Sequence, residues 1–235
     1  MTEFLSFQNE PYIFLPIGTN PTFDMSCFYI VSLLQDTNLT FEQLFKESAK
    51  MSENTNYKLD NFVKIHSIAE KIVVNYSKIV KCLNPNGGFT QLFDNPSYGT
   101  LDDMDSNIIL LRNTNQHFEE RIQELNNDNS LNNFYISVAY EDSNFYNWCI
   151  RFGNSGYHLE GILVEVTDFN IANLSFSSYV RLSKNSPFTT FKFRFLDIRD
   201  KLIRAKDIVE SNILNKTPNS VKNCVIPHII AITQS

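Results

Sequence analysis

Near residues 126–133 the apolar residues of this chain change their spacing, and that change constrains the fold more than any other feature. Before it they recur every three or four positions, the period of a helix with one buried face. After it they alternate with polar residues, the period of a half-buried strand. The segment between, NNDNSLNN, is polar and unpatterned. Helices first and strands second mark the α+β class rather than an alternating βαβ fold. The expectation is a single domain over 1–235. In it, a mostly helical part (1–125) packs on an antiparallel β-meander (133–235) that carries a covering C-terminal helix.

The clearest helical period lies at 59–83. Phe62, Ile65, Ala69, Ile72, Tyr76, Ile79 and Leu83 follow steps of three and four, and Val63, Val73 and Val80 widen the stripe. A stripe that broad suits a core helix better than a coiled-coil seam. NPNGG (84–88) stops it. Upstream, YIFLPI (12–17) reads as an edge strand because of Pro16. FDMSCFYIVSLLQD (23–36) reads as a helix with Phe23, Cys27, Ile30 and Leu34 on one face. Thr40 and Gln43 match a capping box, with Leu39 and Leu44 as a hydrophobic staple, so a separate helix is expected over 41–51. Residues 84–107 read as a long loop and NIILLR (107–112) as a short apolar element. A helix is expected over 115–126, with Phe118, Ile122 and Leu125 on one face.

In the second half, 133–140, 146–152, 157–169, 171–182 and 188–196 read as strands joined by short connections that suit hairpins. FKFRF is the cleanest: Phe191, Phe193 and Phe195 in, Lys192 and Arg194 out. An amphipathic helix over 197–213 runs through Ile198, Leu202, Ala205, Val209 and Ile213. CVIPHIIAI (224–232) reads as a last strand.

Composition limits the partners. With 43% hydrophobic residues and 20 Phe in 235 positions, material for a core is ample. The net charge of −6 argues against a nucleic-acid partner. The densest basic group, Lys192 to Lys206, is interleaved with Asp197 and Asp200 and reads as a salt-bridged face. No apolar run approaches the roughly 20 residues of a membrane-spanning helix. Glu3 stands where a signal peptide would be basic, so an intracellular protein is expected. The commonness of Asn, Ile, Phe and Tyr, whose codons are AT-rich, suggests an AT-rich virus or microbe as the source. Cys27, Cys82, Cys149 and Cys224 form no C-x-x-C pair and read as reduced thiols. A disulfide between chains is the secondary reading.

Candidate chemistry is sparse. DDMDSN (102–107) begins like a calcium loop, but Ile108 stands where Gly is needed and Thr114 where Glu is needed. His158 and Glu160 share one face of an expected strand, an imidazole beside a carboxylate, which is the minimum for acid–base work. Glu165 falls on the other face unless Gly161 marks a bulge. Cys149 and His158 could form a thiol–imidazole dyad across a hairpin, although Cys149 beside Trp148 reads first as core. His66, His117 and His228 read as structural. No phosphate loop, dinucleotide fingerprint or zinc-protease motif occurs, and no metal or cofactor site is expected. The leading expectation is a non-enzymatic protein that works through protein–protein contacts, including as a self-assembling, lattice- or particle-forming subunit. The alternative is a hydrolase-like enzyme using His158 and Glu160, with 84–107 as a lid.

Overall fold

A computed structural model describes residues 21–53, 58–84, 102–116, 135–142, 145–153, 156–161, 169–180 and 186–216. Among the described residues four helices, α1 (Pro21–Glu53), α2 (Leu59–Leu83), α3 (Asp103–Gln116) and α4 (Phe195–Lys216), accompany five strands. The strands are β1 (Tyr135–Asp142), β2 (Phe145–Gly153), β3 (Gly156–Glu160), β4 (Leu174–Val180) and β5 (Thr189–Arg194). This is an α+β fold with helices in the N-terminal half, an antiparallel sheet and a C-terminal helix. The strands expected at 12–17 and 224–232, the segment 126–133, His117, His228 and Cys224 lie outside the described residues, as do Glu165 and most of the 84–107 and 115–126 segments.

Helix α2 has the bounds its periodicity predicts, and every residue of the predicted stripe is buried except Val63, which is 40% exposed. Its N-cap, Lys58, makes no side-chain bond, so packing rather than capping holds the helix. Asp60 in the first turn and Lys81 in the last complement the helix dipole. It ends at Asn84, which is extended, as the residue before a proline tends to be.

Helix α1 corrects the expectation of two helices. Residues 23–36 and 41–51 belong to one continuous helix of 33 residues, which begins on a proline, the residue best suited to a first helical position. The apparent capping box is not one. The Thr40 hydroxyl donates to the Asp36 carbonyl at 2.6 Å, and the Thr37 hydroxyl donates to the Leu33 carbonyl at 2.5 Å. Both bond back into their own helix instead of capping a new one. Nor do Leu39 and Leu44 form a staple, since Leu44 is buried and Leu39 is 57% exposed. Leu34, Phe41 and Leu44 are all buried, so an unbroken helix keeps the apolar face continuous through 37–40.

Ion pairs set the register of α1 against α2. Lys71 reaches Asp36 at 2.7 Å, Asn75 donates to the other Asp36 oxygen at 2.8 Å, and Lys64 pairs with Glu47 at 2.9 Å. Later positions in α1 meet earlier ones in α2, so the two run antiparallel.

Helix α3 begins where a loop was expected. The Asp105 N–H donates to the Asp102 side chain at 2.9 Å, and the Asp102 N–H returns to the Asp105 side chain at 3.4 Å. That reciprocal pair is a capping box with Asp in both places. It turns the acidic run into a helix start rather than a cation loop, and Ile108 and Leu111 fall in the core.

The sheet order is β3-β2-β1-β4-β5, with every neighbouring pair antiparallel. Strands β1 to β3 pair in sequence, and β4 then returns to the far side of β1. This is the Greek-key order. Strand β3 stops at Glu160, short of the expected 169. Gly161 has φ 125, a conformation that costs glycine little and other residues much.

The two faces of the sheet differ. One carries Ile136, Val138, Trp148, Ile150, Leu174, Phe176 and Phe193, all part of a hydrophobic cluster with residues of every helix. Helix α2 lies at the centre of this arrangement, touching α1, α3, α4 and β1, while α4 packs on β4 and β5. The five predicted core positions of α4 are all buried, and Phe195 packs edge-on to Phe41 at 6.2 Å between ring centroids.

Candidate functional site

The opposite face of the sheet holds the residues with the most polar chemistry. Its centre is built from small side chains, Ser137, Ala139, Cys149 and Ser175, all buried. The strand registry, Cys149 against Glu160 and Arg151 against His158, puts His158 and Glu160 on this face, as alternation predicts. Both are exposed, and the Glu160 carboxylate is engaged by the Arg151 guanidinium at 3.1 Å. The registry seats Cys149 opposite Glu160 rather than His158. Burial is the largest influence on the Cys149 thiol and holds its pKa above the usual value, the reverse of what a nucleophile needs.

Further along this face a cavity of about 460 Å³ lies between the ends of β1, β4 and β5 and the start of α4. Its volume is in the range of small-molecule sites. Two of its four charged residues, Glu141 and Lys192, pair with each other. Lys192 donates to both oxygens of Glu141 at 2.6 Å, and Ser175 donates to one of them at 3.2 Å. The Asp197 carboxylate accepts the Arg194 N–H at 3.4 Å, which caps α4. Neither His158 nor Glu160 lines this cavity. Among the described residues no group of three or more His, Cys, Asp or Glu could hold a metal ion.

Between the helices lies a buried polar clamp. Asp105 accepts from the Tyr76 hydroxyl at 2.5 Å and from the Lys201 ammonium at 3.0 Å, and Lys201 also reaches Asp102. Partial desolvation pushes the Asp102 carboxyl up, but the Lys201 and Asp105 hydrogen bonds outweigh it and leave the group below its ordinary value. The clamp ties α2, α3 and α4 together, which is structural work.

The three described cysteines offer little to an oxidant. Cys27, Cys82 and Cys149 are free thiols. Cys27 and Cys149 are buried, and burial pushes the half-buried Cys82 up to about 11, so its thiol stays protonated at neutral pH.

The feature that sequence reasoning missed is on the outside of α1. Met25 is 70% exposed, Phe28 57% and Tyr29 43%, at the i, i+3, i+4 spacing of one helix face. Ser32 continues that face, and beyond it come Asp36, paired with Lys71 of α2, and the exposed Leu39. It lies opposite the core line of Phe23, Cys27, Ile30 and Leu34. From Met25 to Gln35 no residue is charged. The signal was available, because an uncharged run of eleven residues in a helix is apolar on both sides. In the other half the large rings are spent inside: Tyr140, Trp148, Phe176 and Phe193 are buried. No helix among the described residues is long and apolar enough to cross a membrane.

No protein-family model, curated protein or solved structure is found to match this chain.

Proposed function

We propose that the protein works through protein–protein contact, and that it associates with copies of itself through the outer face of α1. The observation that carries the reading is the row Met25, Phe28 and Tyr29, large side chains exposed on one face of a helix whose other face already fills the core. Contiguous exposed apolar surface of this kind characterises interaction sites. Aromatic and Met side chains are the types enriched at such interfaces, and charged residues are the types depleted. The missing charge favours a second copy as the partner. An uncharged strip can meet its own image about a two-fold axis without opposing like charges. Assembly into larger particles would need a second contact surface besides this one. The acid–base alternative has less support, since Glu160 is engaged by Arg151 and both His158 and Glu160 lie exposed away from the cavity.

Light scattering over a wide concentration range tests the reading. It is expected to give a mass that rises from one chain toward two or more. A mass of one chain at every concentration would rule self-association out.

A further inference from the structure

One buried titratable group has no part in the polar clamp, the cavity or the α1 face. His66 lies on the core side of α2, with its side chain 7% exposed. Its ring is surrounded by Phe152 of β2 at 5.9 Å, Tyr157 of β3 at 6.0 Å and Phe176 of β4 at 6.4 Å between centroids. Its Nε2 is buried and has no hydrogen-bond partner. Its Nδ1 faces the Glu70 carboxylate one turn along at 3.9 Å, too far for a hydrogen bond. Of the elements packed on it, α2 presents Glu70 and β3 presents Tyr157 as titratable groups, while β2 and β4 present phenyl rings.

We infer that His66 is a proton-gated latch between α2 and the β2–β3 end of the sheet. As the neutral imidazole it packs like a fourth aromatic ring. As the imidazolium it would be a charge among aromatic rings with two N–H donors, and among the described residues Glu70, at 3.9 Å, is the one carboxylate within 4 Å of it. An aromatic face can attract a cation, but burial removes the water that stabilises the charge, and the second effect dominates in a site this enclosed. Two groups beside it are shifted by the same burial. Glu70 is held above its ordinary value by desolvation, and the Tyr157 hydroxyl is raised by desolvation and then by Glu70. The cluster therefore favours uncharged forms throughout, and one proton added to His66 breaks that pattern.

The sign follows from linkage. Burial lowers the His66 pKa from 6.5 to about 4. A base with a depressed folded value leaves stability intact above 6.5 and removes it as pH falls from 6.5 toward 4. Glu70 has the opposite sign: its folded value is raised, so the cost of its charge is present at neutral pH and relieved on acidification.

The test is denaturant unfolding of the wild type and His66→Leu between about pH 7 and pH 4.5. The ratio of their unfolding constants should shift by up to about tenfold for each pH unit below 6.5, with the wild type losing ground. A ratio independent of pH would overturn the latch. The proton resonance of the His66 Cε1–H, followed in the unmodified protein, gives a second reading if the variant does not fold. The expected result is no titration until the pH approaches 4, and a transition near 6.5 would overturn the inference.

Discussion

Helices α1 and α2 lie side by side and treat their apolar residues differently. In α2 the apolar line faces inward along the whole length, and only Leu59 and Val63, in its first two turns, leave large side chains exposed. The inner line of α1 is equally complete, and its N-terminal half carries a second apolar row facing water. Packing within the chain accounts for the apolar line of α2 from Ile65 to Leu83. In α1 it accounts for the inner face alone, and the outer row has no role in the described core. The difference shows that exposure of large side chains, judged beside an intact core, says more about contact with other molecules than apolar content does.

Truncation within the α2 line should cost most. Ile72, fully buried, changed to Ala is expected to lower stability by about 3 kcal/mol in denaturant unfolding, from lost transfer energy plus a cavity. A loss below about 1 kcal/mol would mean that the centre of the core lies elsewhere.

The continuity of α1 can be broken at Leu39. In a helix interior, Leu39→Pro removes a backbone hydrogen bond and crowds the preceding turn, at a cost of about 3 kcal/mol. Were α1 two helices capped at Thr40, a proline one position before the cap would be nearly free. Thermal unfolding separates the two cases.

Next comes the clamp that holds α2 to α3 and α4. Asp105→Ala takes the carboxylate acceptor from the buried Tyr76 hydroxyl and one of two carboxylate partners from the Lys201 ammonium, with an expected loss of about 2 kcal/mol. Adding Lys201→Met should recover part of that loss, because the part-buried ammonium that has lost one of its two carboxylates is then gone. Equal stability of the single and double variants would remove the clamp from the account.

The smallest effect on stability is expected on the outer row. Phe28 is 57% exposed and outside the hydrophobic cluster, so Phe28→Ser should change monomer stability by no more than about 0.5 kcal/mol.

Much of this was legible beforehand, for physical reasons that differ by element. The bounds of α2 follow from an unbroken period of three and four that ends before a proline. The inner positions of α4 and the in–out pattern of Phe191 to Arg194 are equally plain. Thr40 and Gln43 misled because a capping box is a local pattern, whereas the choice between capping and bonding back to Asp36 depends on whether the chain gains by keeping Leu34, Phe41 and Leu44 on one face. The start of α3 was hidden because Asp102 and Asp105 resemble cation ligands as much as they resemble a cap. Strand positions were readable from alternation, but the return of β4 to β1 was not, since alternation carries no information about which strand is the neighbour. His158 and Glu160 were correctly assigned to one face, yet the pairing of Glu160 with Arg151 depends on cross-strand registry. The outer row of α1 lies within 23–36, where the helical period picks out Phe23, Cys27, Ile30 and Leu34 and leaves Met25, Phe28 and Tyr29 unassigned.

Whether that row is a contact surface is tested most directly by sedimentation velocity of the wild type and Phe28→Ser side by side at matched concentrations. The account predicts a wild type that sediments faster as concentration rises and a variant that stays monomeric, with an aromatic anchor worth about 2 kcal/mol or more lost from the interface. Identical sedimentation of the two proteins at every concentration would contradict it.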